Sequence, residues 1–123
     1  MLGEMRTAAL LAKGVAGDAS TVPAHTALKM ATLNGARALG LDQECGTLQI
    51  GKSADIAAIH LDELETQPHY DPVSQIVYSA GRNQVTDVWV AGRQLLKQRK
   101  LTTIDVSDLK AKIREWKKRL SST

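Results

Sequence analysis

GTLQIGKSADIAAI, residues 46–59, is the stretch on which the reading of this chain turns. Leu48 and Ile50 alternate with polar neighbours, the pattern of a half-buried strand, whereas IAAI (56–59) is apolar on both faces, the pattern of an interior strand. Gly51 can supply the positive φ of a tight reversal, so the Gly51-Lys52 pair is predicted to turn a hairpin between the two strands. Asp55 stands just before the second strand. Three roles suit a carboxylate there: acid–base catalysis, metal ligation, or turn architecture. The favoured reading is architecture, with Asp55 accepting hydrogen bonds from backbone N–H groups of its own turn.

Working outward toward the first residue, Leu2, Met5, Ala8, Ala9, Ala12, Val15 and Ala16 recur at helical spacing, and Gly14 and Gly17 end the pattern. Glu4 in the first turn suits the helix dipole, and no capping residue precedes it. In DASTVP, Ser20 or Thr21 is the expected N-cap, with Pro23 in the first turn of a second helix. That helix runs to about Leu39 before a Gly40 stop. Its apolar stripe is Ala24, Ala27, Leu28, Ala31, Gly35, Ala38 and Leu39. These mostly small side chains predict a face lying close against a neighbour, and close packing is the expected reason for Gly35.

Toward the other end, DELETQPHY (62–70) reads as a polar loop. DPVSQIVYSA (71–80) is a short helix with Asp71 as N-cap, Pro72 in the first turn, and Val73, Ile76 and Val77 on one face. VTDVWVAG (85–92) and RQLLKQ (93–98) form a hairpin turning at Ala91-Gly92, with Val88 and Val90 on one face and Trp89 on the other. Leu109, Ile113, Trp116 and Leu120 define a one-sided amphipathic terminal helix. No internal repeat or low-complexity segment is present.

Composition narrows the class. In 123 residues, hydrophobic types make up 43% and charged types 24%, globular values, but aromatics are 3% and Phe is absent, so the core is expected to be aliphatic and Ala-rich. The net charge of +3 is concentrated between Lys97 and Arg119, and the remainder is slightly acidic. That is no global footprint for nucleic acid, and the terminal helix has only Trp116 as a stacking aromatic. The single cysteine, Cys45, cannot close an internal disulfide, and no signal peptide or spanning apolar run is seen. The expected protein is soluble and cytoplasmic, with no membrane and no nucleic-acid partner.

The search for chemistry yields little. His25, His60 and His69 form no H-x-H or H-E-x-x-H pair, and there is no cysteine cluster, so each reads as a surface or boundary residue. His60 is expected within a strand and His69 in a loop. Asp62, Glu63 and Glu65 read as a solvated loop, since nothing pushes two carboxylate pKa values apart. Ser74 and Ser79 lack a nucleophile elbow, Cys45 lacks an activating partner, and no phosphate-cradling glycine loop occurs. No residue of this chain is assigned a catalytic, cofactor-binding or metal-binding role.

Three stretches together resemble a known family. ATLNGARALG (31–40), GTLQIGKSADIAAI (46–59) and VTDVWVAGRQL (85–95) resemble the C-terminal signature of the amidohydrolase superfamily. EMRTAALLAKG (4–14) and DPVSQIVYSAG (71–81) narrow the resemblance to its methylthioadenosine/S-adenosylhomocysteine deaminase and chlorohydrolase branch. The likeness covers residues 1 to about 105. It departs at KQRK (97–100), where the family often has a glycine-containing turn.

The resemblance implies an α/β fragment: the last helices of a (β/α)8 barrel, the C-terminal strands of a composite β-sandwich, and a terminal helix packed outside. The implied segments are barrel helices over 1–44, the sandwich portion over 45–104 with a short helix at 71–80, and the terminal helix over 105–123. It also implies hydrolytic deamination of adenosine-type substrates by water activated on a divalent metal, usually zinc. The family's metal ligands and general-acid Glu lie upstream of the position matching Met1, so none maps onto this chain. The expectation is therefore the C-terminal portion of a metal-dependent amidohydrolase, inactive alone, whose partner is the missing barrel half or a second copy. The competing expectation is a stand-alone interaction or oligomerisation module without catalysis, using the small-residue helix face and the Leu109/Trp116 stripe.

Overall fold

The structure, a computed structural model, describes residues 1–68 and 70–121. Three helices pack together around a small core. Helix α1 (Leu2–Ala16) ends at Gly17, whose φ of 63° is the left-handed stop that glycine accepts without a Cβ penalty. Gly14 stays within the helix. As expected, no side chain caps its start.

The second helix is interrupted. It comprises α2 (Ala24–Lys29), a π-helical segment (Met30–Asn34) and α3 (Gly35–Ala38). Within that run the Thr32 hydroxyl donates to the Leu28 carbonyl at 2.8 Å, the back-bonding that bends helices at Thr. A π turn takes in an extra residue, so the inward-facing register slips. Ala36 is consequently the buried position, while the expected stripe members Ala38 and Leu39 are exposed. Gly40 closes the segment: its N–H donates to Arg37 and the Leu41 N–H to Ala36, the paired bonds of a Schellman stop.

The capping expectation is corrected. Neither Ser20 nor Thr21 caps α2; Pro23 occupies the N-cap position in an extended conformation. Ser20 is held elsewhere, its N–H and hydroxyl both donating to Asp18 at 2.7 Å. Those bonds, the backbone one first, hold the Asp18 carboxyl below its ordinary range. The Lys13 ammonium fixes the connection instead, donating to the carbonyls of Thr21 at 2.5 Å and Val22 at 3.1 Å. It also lies 5.9 Å from the centre of the Tyr78 ring, within cation–π range.

Helix α4 (Pro72–Tyr78) begins as expected, Asp71 accepting from the N–H groups of Val73 and Ser74 with Pro72 at the first position. In space it joins α1 and α2, and the shared core is Ala9, Ala24, Ala27 and Val77, flanked by Val22, Val73 and Tyr78. Alanine at three of the four central positions lets the helices approach closely. The Arg6 guanidinium ties α1 to the far end of α4, donating to Val77 O at 3.2 Å and Ala80 O at 2.7 Å. Val77 lies in the last turn of α4 and Ala80 just beyond it, so the cation stands where it suits the negative end of the helix dipole.

The sheet contains β1 (Ile56–Ile59), β2 (Val85–Val90), β3 (Arg93–Lys97) and β4 (Lys100–Leu101), antiparallel in the order β1-β2-β3-β4. The expected strand at Leu48 and Ile50 does not form, and with it goes the hairpin across Gly51-Lys52. No described strand pairs with that segment, and both side chains lie in solvent, 79% and 108% exposed. The Gly51 turn itself is present, with φ of 89° and the Lys52 N–H donating to Gln49 O. The Ala91-Gly92 hairpin forms as expected, both residues at positive φ, the two-residue turn whose twist matches the strands. A second turn of the same kind occupies the KQRK departure, with Gln98 and Arg99 at φ of 46° and 64°.

Helix α5 (Val106–Leu120) is capped by Asp105, which accepts from Ser107 and Asp108. None of its residues is buried, nor is any residue of the sheet. The accessible surface is accordingly 9134 Å², against about 6,450 Å² for a typical folded monomer of 13.3 kDa.

Candidate functional site

The groups singled out for chemistry lie apart. His25 sits exposed in the first turn of α2, where its charge adds a minor attraction to Asp71. The larger cause of Asp71's lowered pKa is the Ser74 hydroxyl, donating at 2.6 Å, followed by the backbone N–H groups of its cap. Ser74 is thus committed to the helix start.

His60 follows β1 rather than lying within it, and its N–H donates to Gln84 O at 2.8 Å. Its Nδ1 is 3.5 Å from Glu63 Oε1, both side chains about half exposed at 52% and 55%. His69 lies outside the described residues.

Around the polar loop, Asp62 accepts from the Gln67 amide at 3.2 Å. Leu64–Thr66 winds into a 3-10 turn with Thr66 fully buried, its hydroxyl donating to Glu63 O at 2.9 Å. A shallow polar recess of about 300 Å³ is lined by Glu63, Glu65, Asn83, Gln84 and Arg99. Its charged groups are two carboxylates and one guanidinium. Cys45 is a half-buried thiol.

A catalytic zinc takes three protein ligands and leaves one position open. Among the described residues no three His, Cys, Asp or Glu side chains converge to hold an ion, and the His60–Glu63 pair supplies two exposed groups at most. The described residues therefore do not fit a catalytic metal. No helix among them is long and apolar enough to cross a membrane.

Asp55 is architecture, but of another turn. Its Oδ1 accepts from the Ala91 N–H at 2.6 Å, and the Gly92 N–H donates to Ala54 O at 3.1 Å. The carboxylate bridges 36 residues to hold Ala91 at φ of 47°, a conformation that costs a residue with a Cβ about 1–2 kcal/mol. Asp87 serves the second turn in the same way, accepting from the Gln98 N–H at 3.1 Å and the Gln94 amide at 3.0 Å. Arg99, the other left-handed residue, donates through its N–H to Thr86 O at 2.8 Å and through its guanidinium to Asn83 O. Sequence reasoning missed Asp87, whose only local signal is a strand aspartate near a hairpin.

The glycine of close approach is Gly46 rather than Gly35. A Cβ at Gly46 would stand 2.8 Å from Ala36 Cβ and 3.1 Å from Leu33 Cα, whereas at Gly35 it would meet only Met30 O, at 3.4 Å. The quoted 46–59 segment is thereby seated on the second helix at its first residue and on the β2–β3 hairpin at Asp55.

Residues 1–95 match the family model described as the amidohydrolase family. The chain belongs to the amidohydrolase family. It is 46% identical over 122 residues to the 5-methylthioadenosine/S-adenosylhomocysteine deaminase of Teredinibacter turnerae, which covers 99% of this chain and 28% of that protein. It is 46% identical over 113 residues to the enzyme of the same name from Moorella thermoacetica, covering 92% and 26%.

Among solved structures, an adenosine deaminase from Xanthomonas campestris with bound zinc superposes on all of this chain with a TM-score of 0.91 at 49% identity, over 28% of its own length. The zinc-complexed atrazine chlorohydrolase of Arthrobacter aurescens TC1 superposes on 91% of this chain with a TM-score of 0.81 at 27% identity, over 25% of its own length. The chain thus spans about a quarter of the length of these amidohydrolases and corresponds to a C-terminal portion of the deaminase branch. This amidohydrolase segment is an α/β assembly of helices and a four-stranded antiparallel sheet.

Proposed function

We propose that this chain is the C-terminal portion of a metal-dependent amidohydrolase that deaminates adenosine-type substrates such as S-adenosylhomocysteine or methylthioadenosine. In that reaction the purine C–N bond breaks, water supplies the oxygen of the inosine-type product, and ammonia leaves. The observation that carries the reading is the near-complete match of the chain to the Teredinibacter turnerae deaminase.

The role of these residues is scaffolding. Residues 1–44 are assigned to the barrel helices, 45–104 to the sandwich with α4 inserted, and 105–123 to the outer helix. The metal and the groups that activate water are supplied by the barrel half, and the chain alone is inactive. The excess surface of about 2,700 Å² over a typical monomer supports a covering partner, being the size of an obligate interface. Leu10, Leu11 and Val15 on α1 and Leu48 and Ile50 in the segment before β1 contribute apolar area to it. The location proposed is the cytoplasm.

The test is a chimera in which these 123 residues replace the matching portion of the Teredinibacter turnerae enzyme. It is expected to retain zinc and release ammonia from S-adenosylhomocysteine or methylthioadenosine, while the isolated chain does neither. A folded, zinc-loaded chimera inert toward both substrates would overturn the assignment, and turnover by the isolated chain would overturn the scaffolding role.

A further inference from the structure

The sequence has two asparagines, Asn34 and Asn83, and only Asn34 is followed by a glycine. An asparagine carboxamide lies within ring-closing reach of the next residue's backbone nitrogen, and a glycine there puts no Cβ in the way. Asn34 is exposed to the water such a reaction consumes.

The fold holds the first step back. Asn34 has helical φ and ψ of −71° and −35°, and ring closure needs its ψ to rotate out of the helix. The Gly35 N–H, whose nitrogen must attack, donates to Met30 O and Thr32 O. Both restraints belong to the π-helical segment, and that segment is weakly held. The Thr32 hydroxyl bonds back to Leu28 O at 2.8 Å, glycine is a poor helix former at position 35, and α3 beyond it is four residues long. Over residues 30–38 only Ala36 is buried. Segments with so few buried contacts open locally, well below the free energy of global unfolding. What closes this one is the approach of Gly46 to Thr32, Leu33 and Ala36, which leaves no room for a Cβ.

We propose that Asn34-Gly35 is a modification site of this chain, where the carboxamide converts to aspartate and isoaspartate at a rate set by local opening of the π-helical segment. In the open segment the Gly35 nitrogen gives up its proton and bonds to Asn34 Cγ. Ammonia leaves with that proton, and a cyclic imide remains. Water then adds at either imide carbonyl: breaking the Cγ–N bond gives aspartate, and breaking the bond between the Asn34 backbone carbonyl carbon and nitrogen gives isoaspartate. The net change is carboxamide plus water to carboxylic acid plus ammonia, with no oxidant or reductant. Isoaspartate routes the chain through the side chain and adds a methylene to the backbone, so the helix cannot re-form across it and Ala36 loses its register against Gly46. The reacting groups belong to adjacent residues, so the reaction needs no occupant of the surrounding surface and is independent of the deaminase reading.

The experiment incubates the full chain in mildly alkaline buffer, folded and unfolded in urea, and follows each asparagine by peptide mass spectrometry with fragmentation that distinguishes isoaspartate. The folded chain is expected to convert at Asn34, about tenfold or more slowly than the unfolded chain, while Asn83 stays intact. Gly46→Ala crowds the contact that closes the segment and should raise the folded-state rate about tenfold or more. The milder Ala36→Gly removes the buried methyl group and should raise it about fivefold. Circular dichroism checks that each variant is folded at the start. Gly35→Ala should suppress conversion in folded and unfolded chains alike. In urea below the unfolding midpoint, the wild-type rate should rise less steeply than the globally unfolded fraction.

Conversion as fast in the folded chain as in the unfolded one overturns the proposal, because the helix then guards nothing. So does an intact Asn34 in folded wild type and Ala36→Gly once the unfolded chain is exhausted, or a rate that neither Gly46→Ala nor Ala36→Gly raises. A rate that tracks the globally unfolded fraction across the urea series assigns the reaction to global unfolding and overturns it equally.

Discussion

Gly46 and Gly51 form a matched pair that separates backbone conformation from contact. Their φ angles are 90° and 89°, but a Cβ at Gly51 would meet nothing within 4 Å, whereas one at Gly46 would stand 2.8 Å from Ala36 Cβ, 3.1 Å from Leu33 Cα and 3.2 Å from Thr32 O. Alanine at either position incurs the left-handed penalty, about 1–2 kcal/mol. At Gly46 it also overpacks against backbone atoms that cannot swing aside, adding about 1–3 kcal/mol. Gly51→Ala is therefore expected to lower unfolding free energy by about 1–2 kcal/mol and Gly46→Ala by about 2–5 kcal/mol.

The assay is urea denaturation followed by far-ultraviolet circular dichroism, comparing midpoints at constant slope. Combining Gly46→Ala with Ala36→Gly removes the 2.8 Å contact while leaving φ unchanged. The double variant should cost less than the sum of the single ones, by about 1 kcal/mol. Equal losses at Gly46 and Gly51, with additive behaviour of the double variant, would show that the segment does not lie against the second helix as described.

Asp55→Ala removes the acceptor from the Ala91 N–H at an exposed site, where water partly replaces it. A loss of about 1–2 kcal/mol is expected, with Asp55→Asn losing less; no change in the same denaturation assay would refute the brace. For Asp71 the sign follows from its lowered pKa: the ionised cap favours the folded state above the ordinary carboxylate value of 3.8, and that contribution disappears as pH falls through the lower folded value. The stability difference between wild type and Asp71→Ala should therefore be constant near neutrality and shrink below about pH 4. A difference that persists unchanged to pH 2 would contradict the ionic cap.

How much was legible depended on how far each group had to reach. The Asp71-Pro72 start and the Gly17 stop are satisfied within a few residues, and the Ala91-Gly92 hairpin is marked by its glycine between two apolar runs; each was read correctly from its local pattern. The family resemblance was also legible, being spread over contiguous motifs. For the candidate site, His60 was expected within a strand and follows it instead, and Asp55 was given the right kind of role and the wrong turn. Its acceptor serves a donor 36 residues away, beyond any local window. Asp87 escaped notice because its turn, Gln98-Arg99, carries no glycine to mark it.

By itself the sequence determined those local elements and the amidohydrolase family, because helix caps find their hydrogen-bond partners in neighbouring residues and a glycine marks a turn at positive φ. Tertiary structure alone decided that Leu48 and Ile50 make no strand, since alternation creates a strand only where another offers its backbone. It likewise decided the register slip that buries Ala36, the approach of Gly46 to the second helix, and the exposed stripe of α5. Each of these depends on which surfaces meet in space, and a linear pattern of apolar residues records the faces to be covered without recording what covers them.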